Sequence, residues 1–375
     1  MKKILSFASL LVAAVMLISC GEIDVTTDTI TLKCDKDVIK CDGIDVSTFS
    51  LIADDGTVIK DGIEIFDEAT EASIGGVKFS TEKEGEYTFW ASYKTYISNK
   101  VTIKAINADI PSVAADPQPS NTSFAKKVFL TQFTGTGCGY CPLMVYAMNN
   151  AFAQGGTGDK VVIAASHSYS SSDPAYISAP GAGNFGGQGY PYLVADMAIG
   201  YADYTKTNML VDIINDRYSE PAKAGISINP VFAEKLLPSS NGTLEDYIIA
   251  RVSVKAAESG EYTLGAWLLE DGIYGIQSDY AGMKKEDSSH DYDTHNNCLR
   301  VADSKNGTSW IGHDMGYIEA GKTAEKTFLL KVKSSWKLEN MHMAVFVCAK
   351  NAEGRYSVNN VVDCPVDAPT PFSYK

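Results

Sequence analysis

The sequence predicts a multidomain, β-rich chain with a β-sandwich, an α/β domain and a second β-sandwich, in that order. Its 375 residues are too many for one ordinary hydrophobic core. Short apolar runs separated by Gly, Ser, Thr and Asn are frequent, which is typical of β domains. The segment 127–152 instead joins an apolar strand, a loop of small residues, two cysteines and a helical pattern, which indicates an α/β domain.

Changes in composition divide the chain. We assign residues 1–19 to a targeting segment, 20–107 to the first β domain, 108–123 to a linker, 124–222 to the α/β domain and 223–375 to the second β domain. The linker has three prolines and no apolar periodicity. This composition favours an extended, semi-stiff connector.

The amino terminus has the pattern of an export signal. A basic start, Met1–Lys3, precedes an apolar run, Ile4–Ile18, that is too short to span a bilayer comfortably. The run ends in Leu17-Ile18-Ser19-Cys20, which resembles a bacterial lipobox. The resemblance implies a signal peptide of residues 1–19 and acyl chains such as palmitate on Cys20, which anchor the chain outside the cytoplasm. An uncleaved anchor with an incidental cysteine is the alternative.

The net charge excludes one class of partner. The formal net charge is −14, and cleavage after Ser19 would remove two lysines and make it −16. Because the phosphate backbone of nucleic acid favours a positively charged protein, we expect no nucleic-acid partner. No later segment is long and apolar enough to span a bilayer, so we expect a soluble body tethered at Cys20. Glu22 and Asp24 follow that cysteine and resemble a signal for the outer membrane or the cell surface.

The first β domain has the spacing of a small sandwich. Seven runs are predicted as strands: Ile30–Lys33, Asp37–Lys40, Thr48–Ile52, Val58–Lys60, Ile63–Phe66, Glu86–Tyr93 and Lys100–Ala105. The stretches GEYTF and SNKVTIKA resemble bacterial immunoglobulin-like modules, which implies an Ig-like β-sandwich. We expect a spacer that lifts the rest of the chain off the membrane, with a binding role as the alternative. Cys34 and Cys41 are either a hairpin disulfide or two thiols.

The segment 127–152 contains the candidate redox site. A buried strand, Val128–Phe133, precedes small residues and then Cys138 and Cys141. The helix that follows has three apolar residues on its predicted buried stripe, Val145, Met148 and Phe152. Unpaired N–H groups and the macrodipole at a helix start favour a thiolate, so Cys138 is the predicted attacking group and Cys141 the resolving group. A structural disulfide or half of a zinc site is the alternative, although the sequence has no second CxxC.

The rest of 124–222 completes an order of elements. A second strand, Lys160–Ala165, is followed by a long Ser-, Gly- and Pro-rich segment, a strand that begins after Pro191, and a helix, Thr207–Tyr218. This order resembles the thioredoxin superfamily and implies a thioredoxin-like domain. The resemblance further implies that the bond between Tyr190 and Pro191 is cis and that Pro191 packs against the cysteines.

Two positions depart from that family. Gln132 stands where thioredoxins carry a buried acid that helps proton transfer, and Gly137 replaces the usual Trp before the first cysteine. Both departures favour the alternative of a thioredoxin-like scaffold whose disulfide braces the helix. If exchange occurs, Tyr190 and Pro191 are expected to present backbone to an extended substrate strand.

Residues 223–375 are predicted to form a β-sandwich of jelly-roll or Ig-like type. Five runs are predicted as strands: Ile226–Phe232, Tyr247–Ala256, Tyr262–Leu269, Thr327–Val332 and Met343–Ala349. Asn359–Val362 is a further edge strand. Cys348 and Cys364 could bridge two of these strands, which would leave Cys298 unpaired or differently matched, and spacing does not choose the connectivity.

The segment His290–Arg300 is a second candidate site. It places two imidazoles, two carboxylates and a thiol close together, a set able to bind a metal ion. Its spacing matches no closed zinc pattern, so we predict a polar loop leading into a strand, and no metal or other cofactor. His167, at the end of the second strand of the α/β domain, is likewise predicted to be structural.

The lipobox, the CxxC-bearing domain and the following β-sandwich with HNNCLR together resemble the outer-membrane protein family founded on a twenty-eight-kilodalton member. The resemblance implies a bacterial outer-membrane lipoprotein that faces the periplasm or the surface, with adhesion among the suggested roles. Two functions are therefore predicted. Either Cys138 and Cys141 exchange disulfides with a protein partner, or the protein is a non-catalytic binding protein in which that disulfide is structural. A metal-dependent hydrolase using His290–His295 is a third alternative.

Overall fold

The computed structural model describes residues 27–239, 241–351 and 353–375. They fall into two compact units: unit 1 contains residues 27–35, 48–78 and 88–102, and unit 2 contains residues 36–47, 79–87 and 103–375. The predicted signal peptide and Cys20 lie outside the described residues. The chain is β-rich, as the sequence predicts. In the described ranges, none of the helices has the length and apolar character needed to cross a bilayer.

Nine strands precede the predicted linker: β1 (Ile30–Cys34), β2 (Val38–Lys40), β3 (Ser47–Ala53), β4 (Val58–Ile59), β5 (Ile63–Asp67), β6 (Lys78–Phe79), β7 (Gly85–Tyr93), β8 (Tyr96–Ile97) and β9 (Val101–Ile106). Within unit 1, β3 pairs antiparallel with β1 and β4, and β7 pairs antiparallel with β5 and β8. The buried rings of Phe49 and Phe89 pack with their centroids 5.0 Å apart. All seven strands predicted in this region are present.

The remaining elements belong to unit 2. Its helices are α1 (Cys141–Ala153), α2 (Thr207–Ser219) and α3 (Met283–Glu286). Its strands after the predicted linker are β10 (Val128–Thr134), β11 (Val161–His167), β12 (Tyr192–Ala195), β13 (Ile199–Tyr201), β14 (Ala224–Pro238), β15 (Leu244–Ala256), β16 (Gly260–Glu270), β17 (Ile273–Tyr274), β18 (Thr294–His295), β19 (Cys298–Asp303), β20 (His313–Ile318), β21 (Thr323–Val332), β22 (Met341–Lys350) and β23 (Tyr356–Pro365). The elements predicted between residues 128 and 218 are all present, and β13 is additional. After residue 223, β17 to β20 and α3 are additional to the predicted strands.

One nine-stranded sheet runs through unit 2 in the order β13-β12-β10-β11-β19-β16-β22-β23, with β20 beside β16. β10 and β11 are parallel, whereas β12 pairs antiparallel with β10 and with β13. β11 then meets β19 in parallel, with Ala165 opposite Cys298. The segments 124–222 and 223–375 therefore share one sheet, where the sequence predicted two separate ones. The open edge of β11 has backbone groups that need partners, and β19 supplies them.

A three-stranded antiparallel sheet, β14-β15-β21, packs on one face of the larger sheet. Alternate residues of β15 and β16 meet in this core, among them Ile248, Val252, Leu264 and Leu268. On the other face of β16, Trp267 packs with Phe129 and Phe346. Two packed sheets agree with the predicted sandwich, although one of them extends into the α/β segment.

The two long helices pack on β10. Met144, Met148 and Ala151 of α1 and Leu210 and Ile214 of α2 form one core with this strand. The predicted buried stripe of α1 is partly wrong, because Val145 and Phe152 are only half-buried. The helix turns its Met144 side toward α2, a long-range contact that the periodicity of one helix does not show.

The predicted linker is part of unit 2 and packs against β15. Lys255 of β15 is 2% exposed, and its Nζ donates to Asp116 Oδ2 at 2.8 Å and to the Pro119 carbonyl at 2.7 Å. The Tyr374 hydroxyl donates to Asp116 Oδ1 at 2.7 Å. The composition correctly predicts that the segment has no helix or strand between residues 108 and 123, but it does not reveal the buried cation that holds it.

Cys138 and Cys141 form a disulfide, whereas Cys41, Cys298, Cys348 and Cys364 are thiols. The hairpin disulfide considered for Cys41 is therefore not formed, nor is the bridge considered between Cys348 and Cys364. β22 and β23 are neighbours, but their register places Cys364 opposite Met343 and Cys348 opposite Val358. The two thiols are thus several residues apart along the strands, too far for a disulfide.

His342 gives this sheet a pH-dependent contact. Its Nδ1 lies 2.6 Å from Asp363 Oδ1, and its Nε2 lies 3.5 Å from Asp271 Oδ1. Burial opposes the charged imidazole, but the hydrogen bonds and charges of the two carboxylates outweigh it and raise the pKa of His342 to about 9.

We expect the free energy of unfolding to fall by about 2 kcal/mol between roughly pH 6.5 and 9, as His342 loses its proton in the folded state. A group whose pKa is raised by folding stabilises the fold fully below its unfolded pKa, and this stabilisation is lost as the pH rises. Urea unfolding across this range checks it. His342→Phe should remove the pH dependence from this window, and an unchanged slope in the variant would contradict the assignment.

Candidate functional site

The Cys138–Cys141 disulfide closes the loop between β10 and α1. Every residue of β10 is buried, so the start of the loop is held by the core. Cys138 N donates to Gly135 O at 3.0 Å, and Cys141 N donates to Cys138 O at 3.2 Å. α1 begins at Cys141, with Pro142 in its first turn, where a missing N–H costs little. The cysteines lie where the sequence predicts them, but Cys138 is 3% and Cys141 1% exposed.

The peptide bond between Tyr190 and Pro191 is cis, as predicted. β12 begins at the next residue and pairs antiparallel with β10, with Tyr192 opposite Phe133. This register places Pro191 level with Thr134, at the start of the cysteine loop. The proline and the disulfide therefore belong to the same end of β10.

Tyr169 links the proline to the loop. Its ring meets that of Tyr190 edge-on, with centroids 5.3 Å apart. A Cβ added to Gly137 would lie 3.3 Å from Tyr169 Cε1. A side chain at position 137 would therefore require the Tyr169 ring to shift by a few tenths of an ångström.

A buried carboxylate supports the loop from the segment after β11. Asp173 Oδ2 accepts a hydrogen bond from Thr136 N at 2.6 Å and lies 2.9 Å from His167 Nδ1, while Oδ1 accepts one from Ala175 N at 2.8 Å. Burial raises the pKa of Asp173, but the hydrogen bond and charge of His167 and the two backbone N–H groups outweigh it and lower that pKa to about 2. Asp173 is therefore held as a carboxylate.

Cys298 extends this chain of polar groups. Its Sγ lies 3.6 Å from His167 Nε2, so a thiol, an imidazole and a carboxylate follow one another. Thiol nucleophiles use this order of groups, but Cys298 is fully buried, and burial raises the pKa of its thiol. His295 packs edge-on against His167 at 4.8 Å, and its Nε2 lies 2.9 Å from Gly275 O. Burial, followed by the charge of His167, lowers the pKa of His295.

Residues 275–280 lie on the cysteine loop, and we call them the capping segment. Gln277 Nε2 lies 2.8 Å from Cys138 O, 3.2 Å from Gly135 O and 3.3 Å from Thr136 O. Gln277 is itself buried. The two N–H groups of this carboxamide are thus shared among the carbonyl of the first cysteine and those of two residues just before it.

Backbone bonds extend this contact. Ser278 N donates to Thr136 O at 2.7 Å, and Tyr280 N donates to Gly139 O at 2.9 Å. The Tyr280 ring lies so close to Gly139 that an added Cβ there would overlap it. The same ring meets Tyr140 edge-on, with centroids 5.8 Å apart. Only glycine between the cysteines at position 139 accommodates this cover.

The segment His290–Arg300 forms a hydrogen-bonded loop that leads into β19, as predicted. His290 Nδ1 lies 3.3 Å from Asn149 Nδ2 of α1, and Asp293 Oδ1 accepts a hydrogen bond from Gln277 N at 2.7 Å. Over residues 27–239, 241–351 and 353–375, no three His, Cys, Asp or Glu side chains are grouped so that they could hold a metal ion. The segment instead braces the capping segment and α1.

A cavity of about 270 Å³ lies between this segment and part of α1. Pro142, Gln132 and His295 are among the residues that line it. Gln132 is 6% exposed, and its Nε2 has no hydrogen-bond partner among the described residues. Gln132 is uncharged, so this protein has no buried acid at the position where thioredoxins carry one.

Sequence reasoning missed Asp173, the capping segment and a second cis bond, Ala179–Pro180. Asp173 and the capping segment lie in loops without apolar periodicity. A signal was present in Gly137 and Gly139, because glycine beside a functional residue often marks the close approach of another part of the chain.

Comparison with known proteins adds a family likeness for the C-terminal part. The family described as outer membrane protein Omp28 matches residues 237–368. Among solved structures, HBP35 of Porphyromonas gingivalis is similar at 18% identity and a TM-score of 0.48, over 67% of this chain and 78% of that chain. No conclusion about this chain rests on that likeness. A comparison with curated proteins finds no match. The Omp28 match supports the predicted outer-membrane location.

Proposed function

We propose that the protein is an outer-membrane lipoprotein, anchored through Cys20, that exchanges disulfides with protein partners through Cys138 and Cys141. The observation that supports exchange most directly is the disulfide at the start of α1, at the same end of β10 as cis Pro191. The order of strand, disulfide, helix, parallel strand, cis-proline, antiparallel strand pair and helix supports a thioredoxin-like fold for this part of unit 2.

The exchange proceeds in two substitutions. In the reduced state, N–H groups at the start of α1 stabilise the Cys138 thiolate, which attacks one sulfur of a partner disulfide and releases the other as a thiolate. The Cys141 thiolate then attacks Cys138 Sγ, restores the disulfide and releases the first partner sulfur. The partner disulfide gains two electrons and the cysteine pair loses them. The reverse sequence oxidises a partner dithiol.

The first β domain, residues 20–107, is proposed as an Ig-like spacer that follows the anchor in the chain. Its antiparallel strands and the buried Phe49–Phe89 contact support a small β module with its own core. The net charge of −14 supports a protein partner rather than nucleic acid.

Cys141→Ser should trap protein partners. Without the resolving thiol, the mixed disulfide at Cys138 persists, so we expect adducts on non-reducing gels that dithiothreitol releases. Cys138→Ser is the matched control and should form none. The absence of adducts in Cys141→Ser, together with a wild type that reduces no protein disulfide in the presence of thiol, would contradict exchange.

A non-catalytic binding lipoprotein with a structural disulfide is the second candidate. The burial of both cysteines and the capping segment favour it. The reduction potential of the pair separates the two functions: structural disulfides lie below about −300 mV, and catalytic pairs lie between about −270 and −120 mV. A redox titration against glutathione or dithiothreitol buffers gives the value.

A further inference from the structure

We infer that the capping segment is an internal strap that binds the backbone of the cysteine loop and must move before a partner reaches Cys138. The inference rests on the proposed function, because a strap regulates exchange only if exchange takes place. It assigns residues 275–280 as an autoinhibitory contact.

The backbone of the strap donates hydrogen bonds to the turn that carries the cysteines. Ser278 and Tyr280 are alternate residues, and both donate their N–H to carbonyls of the cysteine loop, those of Thr136 and Gly139. Alternate residues that point their backbone groups the same way are a property of an extended chain. A partner in extended conformation would offer the same donors and would compete for the same carbonyls.

The side chains specify what a replacement must provide. Gln277 adds a second donor to the carbonyls of Gly135, Thr136 and Cys138, each of which also accepts from a backbone N–H group. The Tyr280 ring covers Gly139 and meets Tyr140.

The strap has exposed side chains, although Asp293 and His295 hold its backbone by hydrogen bonds. Ile276 and Tyr280 are each 72% exposed, so little apolar burial opposes its departure. Gly272 and Gly282 flank it with φ of +71° and +76°, backbone conformations that glycine adopts easily. Both cysteines are buried and the strap binds the Cys138 and Gly139 carbonyls, so its release is expected to change the access of a partner to sulfur.

Reduction of the disulfide by dithiothreitol measures this access without any protein partner. A thiolate of the reagent attacks Cys138 Sγ, Cys141 leaves as a thiolate, and the reagent closes to its cyclic disulfide, so the pair gains the two electrons that the reagent loses. We expect Gln277→Ala and Tyr280→Ala each to raise the second-order rate constant about tenfold. Gly139→Ala adds a methyl group where the ring lies and should act in the same direction. Timed alkylation and mass spectrometry follow the reaction.

Two controls separate release of the strap from general loosening. Tyr317→Ala removes an exposed tyrosine of β20 and should leave the rate unchanged. Val254→Ala weakens the core of the three-stranded sheet and reports what global destabilisation does to the rate. Unchanged rates in the strap variants, or an equal acceleration in Val254→Ala, overturn the inference.

The experiment also distinguishes the strap from the proposed function. Faster reduction in the strap variants supports a cover over the disulfide, and it refutes exchange if Cys141→Ser combined with Tyr280→Ala traps no partner and the wild type reduces no protein disulfide. Trapped partners with unchanged reduction rates support exchange and refute the strap. If both hold, Cys141→Ser combined with Tyr280→Ala should trap more partner than Cys141→Ser alone.

Discussion

Asp173→Asn should lower the free energy of unfolding by about 3 kcal/mol, one of the largest effects expected of a single conservative change in this protein. Three groups point their hydrogens at this buried carboxylate: His167 Nδ1, Thr136 N and Ala175 N. An amide has one oxygen, and its NH₂ group would face donors on the other side. Because the Asp173 side chain is buried, the unpaired donors carry a desolvation cost. The midpoint of urea unfolding measures the change.

The pH dependence gives the same carboxylate a second test. The pKa of Asp173 is lowered from 3.8 to about 2 in the folded state, chiefly because the contacts with His167 and the backbone outweigh burial. A lowered pKa stabilises the fold above the unfolded value, so this contribution is lost as the pH falls from about 4 toward 2. Asp173→Asn should show a smaller loss of stability across that window.

Asp212→Asn is the matched control, since Asp212 is exposed on α2. Its effect should stay within about 0.5 kcal/mol. If both variants unfold at the same urea concentration as the wild type, Asp173 does not support the cysteine loop as described.

The parts of the site that the sequence predicted are those whose signals are local. An apolar run predicted β10, and the two cysteines and Pro142 predicted the start of α1. Pro191 before an apolar strand predicted the cis bond through a family resemblance. Each of these depends on neighbours a few residues away, which a single sequence contains.

The parts that were missed depend on which surfaces meet. A period of two shows which face of a strand is buried but not which strand lies at its edge, so the pairing of β11 with β19 was not foreseen. Gln277 contacts a loop about 140 residues earlier in the chain, and no pattern in either segment names the other. Polar residues in loops give no periodic signal at all.

Lys255 shows the same limit on the surface of the sandwich. Ile248, Ala250, Val252 and Val254 lie at every second position of β15 and form its core face, and the same alternation puts Lys255 on the opposite face. The predicted linker then covers that face, and the lysine becomes a buried cation. A strand pattern records the side of a residue, not what a distant segment later puts over it.

Lys255→Met should accordingly lower the free energy of unfolding by about 3 kcal/mol and loosen residues 108–123 from the rest of unit 2. The methionine fills a similar volume but leaves Asp116 and the Pro119 carbonyl without the Nζ donor. The Asp116 carboxylate then loses its cation and keeps only the Tyr374 hydroxyl and Gln118 N as donors. Urea unfolding measures the loss, and limited proteolysis should cut the 108–123 segment sooner than in the wild type.

Lys322→Met, at an exposed position, should change neither measurement. The double variant Lys255→Met with Asp116→Asn should recover part of the stability, because it removes the uncompensated carboxylate as well. Wild-type stability in Lys255→Met would mean that the segment is held by its other contacts, including the Tyr374 hydroxyl at 2.7 Å from Asp116. The buried ion pair therefore requires that the free energy of unfolding decrease in the order wild type, double variant, Lys255→Met.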